Sequence, residues 1–366
     1  MELAIIGLPQ SGKTTVFKAL TRGKVQTAAY APGAAAANIG VVKVPDPRLD
    51  ALTAMFRPKR TVPAEVTYVD VGAPPRGFGK GEGFGGQLLS QLIRMDALIH
   101  LVRAFHDDRV PHIEGSVDPP RDIATMNLEL AFSDMGLIER RQGRIEESLK
   151  GARQQEREVY LREQALLKRL KDALEQDVPI RAQSLSPEEA KTIENYQFLT
   201  AKPLLLLLNI GEEQLKEAAA IEREWRARYQ GPRIGLAVLC GKLEMELGEL
   251  NEADAQEFRT SLGLAQSALD RVIRASSELL GLLTFFTVVS DEVKAWNIRK
   301  GTSALKASGK IHSDMERGFI RAEVIAFADL EKCGSLAEAK KRGMVHLEGK
   351  NYEVRDGDVI TFLFNV

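Results

Sequence analysis

The sequence predicts an α/β protein in which a doubly wound sheet domain is interrupted by a helical insertion and followed by a small strand-rich domain. Three observations carry this. Five short apolar runs, at residues 3–6, 66–71, 97–102, 204–208 and 234–239, have the length and continuity of buried parallel strands with helices between them. About a hundred residues separate the third run from the fourth, far more than a strand-to-helix connection needs, so the interval carries its own structure. New strand-like runs begin near Leu282, and a chain of 366 residues is long for one domain.

The first run passes directly into Gly7-Leu8-Pro9-Gln10-Ser11-Gly12-Lys13-Thr14, a complete G-x-x-x-x-G-K-[ST] sequence, and Thr15 to Leu20 continue at helical spacing. Glycines there let backbone N–H groups and the N-terminus of the next helix face phosphate oxygens. Residues Gly7, Leu8, Pro9, Gln10, Ser11, Gly12, Lys13, Thr14 and Thr15 are the expected phosphate-binding set, with Lys13 on the β- and γ-phosphates and Thr14 on Mg²⁺. The expected ligand is a nucleoside triphosphate.

The second run leads to Asp70, where a carboxylate can hold a Mg²⁺-bound water opposite Thr14; a strand-end cap is the plainer reading. A glycine-dense stretch, 72–86, follows and is expected to approach phosphate. The fourth run ends in Asn209-Ile210-Gly211-Glu212, where the base is expected. Guanine-specific sites use Asn-Lys-x-Asp, whose carboxylate accepts from the guanine N1 and 2-amino groups. Here the pattern is Asn-x-x-Glu. The loop alone does not separate kinases, GTPases and ATPases, but nothing in the sequence forms the acceptor pocket of a kinase.

Within the insertion, residues 139–172 mix charges of both signs with Ile145, Leu149, Val159, Leu166, Leu170 and Leu174 at near-heptad intervals, predicting an antiparallel helical hairpin or coiled coil. Ser186-Pro187-Glu188-Glu189 is a capping-box start for the return helix. Arg140, Arg141, Arg144, Lys168, Arg169 and Lys171 are interleaved with acids, so a solvated face accounts for them. In the third unit, 283–289 and 293–298 read as strands and 335–342 as a short helix, and Asp356-Gly357 reads as a hairpin turn between 351–355 and 359–366. Trp296, Phe319 and His312 are expected inside this small domain or as structural loop residues.

Composition bounds the function. A hydrophobic fraction of 44% with 28% charged residues is that of a globular protein, and a net charge of -1 excludes nucleic-acid binding by bulk electrostatics while leaving a local basic patch open. Cys240 and Cys333 lack metal or redox spacing. No apolar run reaches the ~18 residues of a membrane span, and the N-terminus enters a strand without a charged leader, so a cytoplasmic protein without a membrane partner is expected.

Taken together the residues resemble the YchF, or Obg-like, ATPases of the translation-factor GTPase class, over nearly the whole chain. The most specific segments are the run from Gly40 to Asp50, Lys80-Gly81-Glu82-Gly83, the run from His112 to Pro119, Ala295-Trp296 through Gly301-Thr302, Ile311-His312 and the run from Gly318 to Val324. The resemblance implies a G domain at 1–134 and 200–281, a helical coiled-coil domain at 135–199 and a ubiquitin-like β-grasp TGS domain at 282–366. It implies ATP binding alongside or instead of GTP through Asn209, Ile210 and Glu212 with Cys240, Gly241 and Lys242, and Mg²⁺ on Thr14 and Asp70. A monomeric regulatory switch linked to the ribosome, or to ribosomal RNA or protein, is the implied role. The alternative is a nucleotide-stabilised ribosome-binding module with little turnover. Where ordinary GTPases carry a water-orienting glutamine this chain has Pro74, and the histidine thought to substitute in the family is matched by His112; a surface loop histidine would look the same. The chain departs from the family at Gln10, at Ala34 where a switch threonine is expected, and at Ala73 where a glycine is expected, which predicts slow hydrolysis or a weakened switch.

Overall fold

The structure is a computed structural model and describes residues 1–23, 26–28, 37–71, 84, 86–264, 266–289 and 291–365. Two compact units are present, Met1–Val41 with Thr67–Ala275, and Val42–Val66 with Ser276–Val366. The strands are β1 (Glu2–Ile6), β2 (Gln26–Ala28), β3 (Ala37–Lys43), β4 (Arg60–Val62), β5 (Glu65–Asp70), β6 (Ala97–Arg103), β7 (Leu204–Asn209), β8 (Ile234–Leu239), β9 (Leu282–Val289), β10 (Glu292–Arg299), β11 (Phe319–Ala326), β12 (His346–Glu348) and β13 (Asp358–Phe364).

The first unit is built on a sheet of order β2-β3-β5-β1-β6-β7-β8. The five apolar runs expected as parallel strands are β1, β5, β6, β7 and β8, and they pair parallel, with Ile5 opposite both Asp70 and Ile99. From β1 the chain goes to one side through β3 and β5 and then to the other through β6, β7 and β8. Strand β1 is therefore the topological switch point, and ligands of such sheets bind beyond the strand ends there. Period-two alternation divides the core. Ala4, Ile6, Val69, Leu98, Leu206 and Leu208 join Leu92, Ile123, Met126 and Leu130 of the neighbouring helices in one buried cluster. Leu3, Ile5 and Tyr68, also fully buried, point to the other face.

The insertion is an antiparallel hairpin of a 31-residue helix, Pro119–Leu149, and the helix Gln154–Leu174, packed through Ile138, Ile145, Leu166, Leu167, Leu170 and Leu174. The long helix starts within the sheet domain, capped by Asp118 with Pro119 in its first turn. Val159 departs from expectation: it is 62% exposed, because the packed stripe of its helix runs through Tyr160, Leu167, Leu170 and Leu174, and Val159 lies one position off it. The capping box is formed as read, with Ser186 Oγ accepting from the Glu189 N–H and Glu189 Oε2 accepting from the Ser186 N–H. It starts only the short helix Pro187–Ile193, the return arm being Gln154–Leu174. Several basic residues of the hairpin are ion-paired: Arg141 with Glu163, Lys171 with Glu139 and Arg169 with Glu189. At the base of the insertion the buried Asp134 carboxylate accepts the Leu199 and Thr200 N–H groups at 2.8 and 2.7 Å.

In the second unit the sheet order is β12-β11-β13-β9-β10-β4. The hairpin β9-β10 is joined to β11-β13 by β13 lying parallel to β9, the strand pattern of a β-grasp. Residues 42–66, which the sequence reading kept in the nucleotide-binding domain, pack here: β4 extends the sheet beside β10, and Arg48 pairs with Asp46 and Asp356 at 2.7 and 2.6 Å. These carboxylates hold the guanidinium pKa above its ordinary value. Asp356-Gly357 is a turn, but not of a hairpin. Asp356 Oδ1 accepts from the Thr284 N–H, and residues 351–355 contribute only the bridge of Glu353 to Ser303. The 335–342 helix is present as Leu336–Lys341, capped by Ser335, while Ala304–Ile311, capped by Ser303, was not foreseen. Trp296 stacks on Phe285 and donates to Thr287 Oγ1, Phe319 packs on the same cluster, and His312 caps Ser313–Arg317.

Candidate nucleotide-binding site

Beyond the C-terminal end of β1, residues 7–14 wrap around a buried ammonium. Lys13 Nζ donates to the carbonyls of Gly7 and Leu8, both at 2.9 Å. Burial lowers its pKa to about 8, and the Asp70 carboxylate opposes that shift. The loop is tight enough to demand its glycines. A Cβ at Gly7 would lie 2.5 Å from the Leu101 carbonyl oxygen, and one at Gly12, itself at φ 94°, would lie 2.5 Å from Asn209 Nδ2. Gln10 adopts φ 62° with an exposed side chain, while Ser11 Oγ is buried without a hydrogen-bond partner. Thr14 and Gln10 face solvent, Pro9 and Thr15 are half-buried, and Leu8 is buried.

Thr14 lies in the first turn of the helix Lys13–Thr21 and Asp70 closes β5, paired in register with Ile5 near the end of β1. A hydroxyl and a carboxylate are hard oxygen donors that suit Mg²⁺, an ion that keeps waters and phosphate oxygens for its other positions. Among the described residues no cluster of three or more His, Cys, Asp or Glu could hold a metal by itself. The donor set fits a shared Mg²⁺ and not a closed structural site.

On the other side of the loop stand the residues expected to read the base. Asn209, at the end of β7, is buried, and its amide joins two loops: Nδ2 donates to the Ser11 carbonyl at 3.0 Å, and Oδ1 accepts from the Gly241 N–H at 2.9 Å. Ile210 and Cys240 are buried beside it, and burial pushes the Cys240 thiol pKa up. Glu212 and Lys242 face solvent and form an ion pair at 2.7 Å. The expected phosphate-binding and base-reading sets are therefore linked by Asn209.

His112 lies in a separate network. Its Nε2 is 2.9 Å from Asp122 Oδ2, and its Nδ1 accepts from the Glu114 N–H at 3.1 Å, which assigns the ring proton to Nε2. Arg121 donates to the other Asp122 oxygen at 2.9 Å and lies 3.4 Å from His112 Nδ1. The imidazole is 3% exposed. Two residues missed in the sequence complete the surroundings. Arg103, buried at the end of β6, donates to the Phe105, Asp107 and Val110 carbonyls and fixes the loop leading to His112; burial lowers its pKa. His100 sits opposite Ile6 in the β1–β6 register, with both ring nitrogens buried and without partners. Burial first and Lys13 second lower its pKa to about 3, so the ring is neutral. A single histidine within an apolar strand run was the available signal. Ala34, Ala73, Pro74 and the Lys80-Gly81-Glu82-Gly83 segment fall outside the described residues.

Comparison with known proteins bears on this site. Residues 2–133 match a family model described as a 50S ribosome-binding GTPase, and residues 282–365 match the YchF-GTPase_C model, described as a protein of unknown function. The chain is 42% identical over 364 residues to a protein of Bacillus subtilis named Ribosome-binding ATPase YchF, covering 99% of this chain and 98% of that one. It is 39% identical to the protein of that name from Haemophilus influenzae, with the same coverage. Among solved structures, that of the Schizosaccharomyces pombe YchF GTPase superposes with a TM-score of 0.86 at 31% identity, covering 99% of this chain and 97% of that chain.

Proposed function

We infer the function from one premise, that this chain belongs to the YchF family: it is a regulatory nucleoside triphosphatase that binds ATP, and accepts GTP, and couples nucleotide state to association with the ribosome. The observation that carries nucleotide binding is the buried Lys13 ammonium, held by two carbonyls of its own loop beside the Asn209 strut. In this reading residues 135–199 are the helical domain and 282–366 the TGS domain, and the protein is a cytoplasmic monomer. Among the described residues no helix is long and apolar enough to cross a membrane.

The chemistry follows from the side chains. Lys13 exchanges the Gly7 and Leu8 carbonyls for phosphate oxygens, whose charge reverses the pKa depression that burial imposes. N–H groups at the start of the helix Lys13–Thr21 complete the phosphate cradle. Thr14 and Asp70 hold Mg²⁺, which when bound offsets negative charge on the phosphate oxygens. Glu212 and Lys242 meet the base, and His112 orients water once it leaves Asp122. The test is calorimetric titration of ATP and GTP with Mg²⁺, then co-sedimentation with ribosomes in ADP and in a non-hydrolysable ATP analogue. Lys13→Ala should abolish binding, and equal ribosome affinity in the two nucleotide states would exclude a switch.

A second reading, nucleotide as a structural ligand with little turnover, is favoured by the state of His112, whose two ring nitrogens are both engaged away from the phosphate-binding loop. Single-turnover hydrolysis separates the two. His112→Ala lowers the rate about a hundredfold at unchanged ATP affinity if the ring acts, and leaves it unchanged if turnover is incidental.

A further inference from the structure

An ion pair stands on the base side of the site. Lys242 Nζ lies 2.7 Å from Glu212 Oε1 and 4.0 Å from Glu246 Oε1. Lys242 and Glu212 are 62% and 48% exposed, so the pair contributes little to holding the fold. Their backbones, in contrast, are fixed. The Gly241 N–H, one residue before Lys242, donates to Asn209 Oδ1, and the Gly211 N–H, one residue before Glu212, donates to Gln214 Oε1 at 2.9 Å. Two opposite charges on anchored backbone, touching each other and facing solvent, suit recognition better than support.

We infer that Lys242 sets the base preference, by converting the Glu212 carboxylate from a lone acceptor into an acceptor–donor pair matched to the edge of adenine. The inference rests on reading this loop as the base site. Guanine presents N1–H and its 2-amino group as adjacent donors, and an unpaired carboxylate satisfies both with its two oxygens. Adenine presents the 6-amino donor beside the N1 acceptor, so a carboxylate alone satisfies one and repels the lone pair of the other. Lys242 has three donors and no acceptor. It supplies the missing donor while Glu212 keeps an oxygen for the 6-amino group. The same ammonium, held on Oε1, competes with the paired guanine donors for that oxygen. The neighbouring Gly241 N–H is already engaged by Asn209 and offers no donor to a 6-oxo group.

The experiment titrates ATP and GTP, each with Mg²⁺, into the full chain. Lys242→Met should weaken ATP about five- to tenfold while GTP stays within about twofold of wild type or binds more tightly. Lys242→Arg should keep the wild-type preference, and in a Glu212→Gln background the Lys242→Met change should act on both nucleotides alike. A Lys242→Met ratio equal to wild type overturns the inference. Failure of the underlying reading is seen separately and first: wild type would bind neither nucleotide, or Lys13→Ala would bind as well as wild type. Because Lys242 is exposed, unchanged melting temperatures are expected for its variants, and a shift accompanied by equal loss of both nucleotides counts against the inference.

Discussion

Asn209 Nδ2 donates to the Ser11 carbonyl at 3.0 Å, so the end of β7 holds the phosphate-binding loop directly. Its Oδ1 holds the Gly241 N–H at the same time, which makes one amide the joint between phosphate and base loops. Asn209→Ala removes both bonds and leaves a buried N–H and C=O unpaired, a cost of about 2–4 kcal/mol. The expected outcome in urea unfolding is a loss of that size, with ATP and GTP affinity both falling about tenfold or more in calorimetry. A nucleotide-selective loss would mean that Asn209 reads the base and is not a joint.

Lys13 predicts proton uptake on binding. Its pKa of about 8 in the free protein lies below the ordinary lysine value, and triphosphate charge beside it raises it again. At pH 8.5 more than half of the free protein has a neutral Lys13, so ATP binding takes up protons; at pH 6.5 it takes up none through this group. Titrations at both pH values in buffers of different ionisation enthalpy read the number directly. The unliganded fold shows the same depression: the unfolded chain holds the lysine proton up to about pH 10, so this group's contribution to stability rises as pH increases from about 8.

His100 predicts an acid-sensitive stability term. Its folded pKa, lowered to about 3, is below the unfolded value, so the unfolded state binds more protons as pH falls from about 6.5. Stability from this site is present above that pH and is lost progressively towards about pH 3. His100→Leu removes two unpartnered nitrogens and is expected to be neutral or stabilising by up to about 1 kcal/mol at pH 7.5. The gap between variant and wild type should widen as pH drops to about 4, measured by denaturant melts across that range.

Asp134 titrates in the opposite sense. Burial pushes its pKa up to about 6 against the hydrogen bonds from Thr200 and Leu199, so between about pH 4 and 6 the folded state binds more protons than the unfolded, and this group's contribution falls as pH rises. Asp134→Ala strips the carboxylate from two buried N–H groups and should cost about 2–5 kcal/mol in urea unfolding at pH 7. Asp134→Asn keeps one acceptor and should cost less.

Legibility in the sequence tracked how local each signal was. Five of the seven strands of the first sheet were readable because strands buried on both faces are continuous apolar runs, and the loop from Gly7 to Thr14 because its geometry demands residue types at fixed spacing. Asn209 was found, but its strut role was not, since that depends on Ser11 and Gly241 arriving from distant parts of the chain. His112 was found without Arg121 and Asp122, although they follow nine and ten residues later, because the loop that folds the histidine back onto the start of the long helix has no fixed spacing to read. Ala304–Ile311 escaped because alternation with Gly309 and polar residues masks its apolar face, although Ser303 marks its start. The hairpin expected at Asp356-Gly357 failed because a tight turn specifies a change of direction and not the partner of the strand that follows.

The excursion of residues 42–66 into the second unit has a consequence for dissecting the molecule. The chain passes between units at three places, 41/42, 66/67 and 275/276. Two of these crossings interrupt the path from β3 to β5, the strand that delivers Asp70. A fragment ending at Ala275 would therefore keep β4 and Arg48 while discarding β10 and Asp356, exposing a strand edge and leaving Arg48 with only one of its two carboxylates, Asp46. The nucleotide-binding half is not an excisable cassette, and severing the C-terminal portion amputates part of a fold that begins before Asp70.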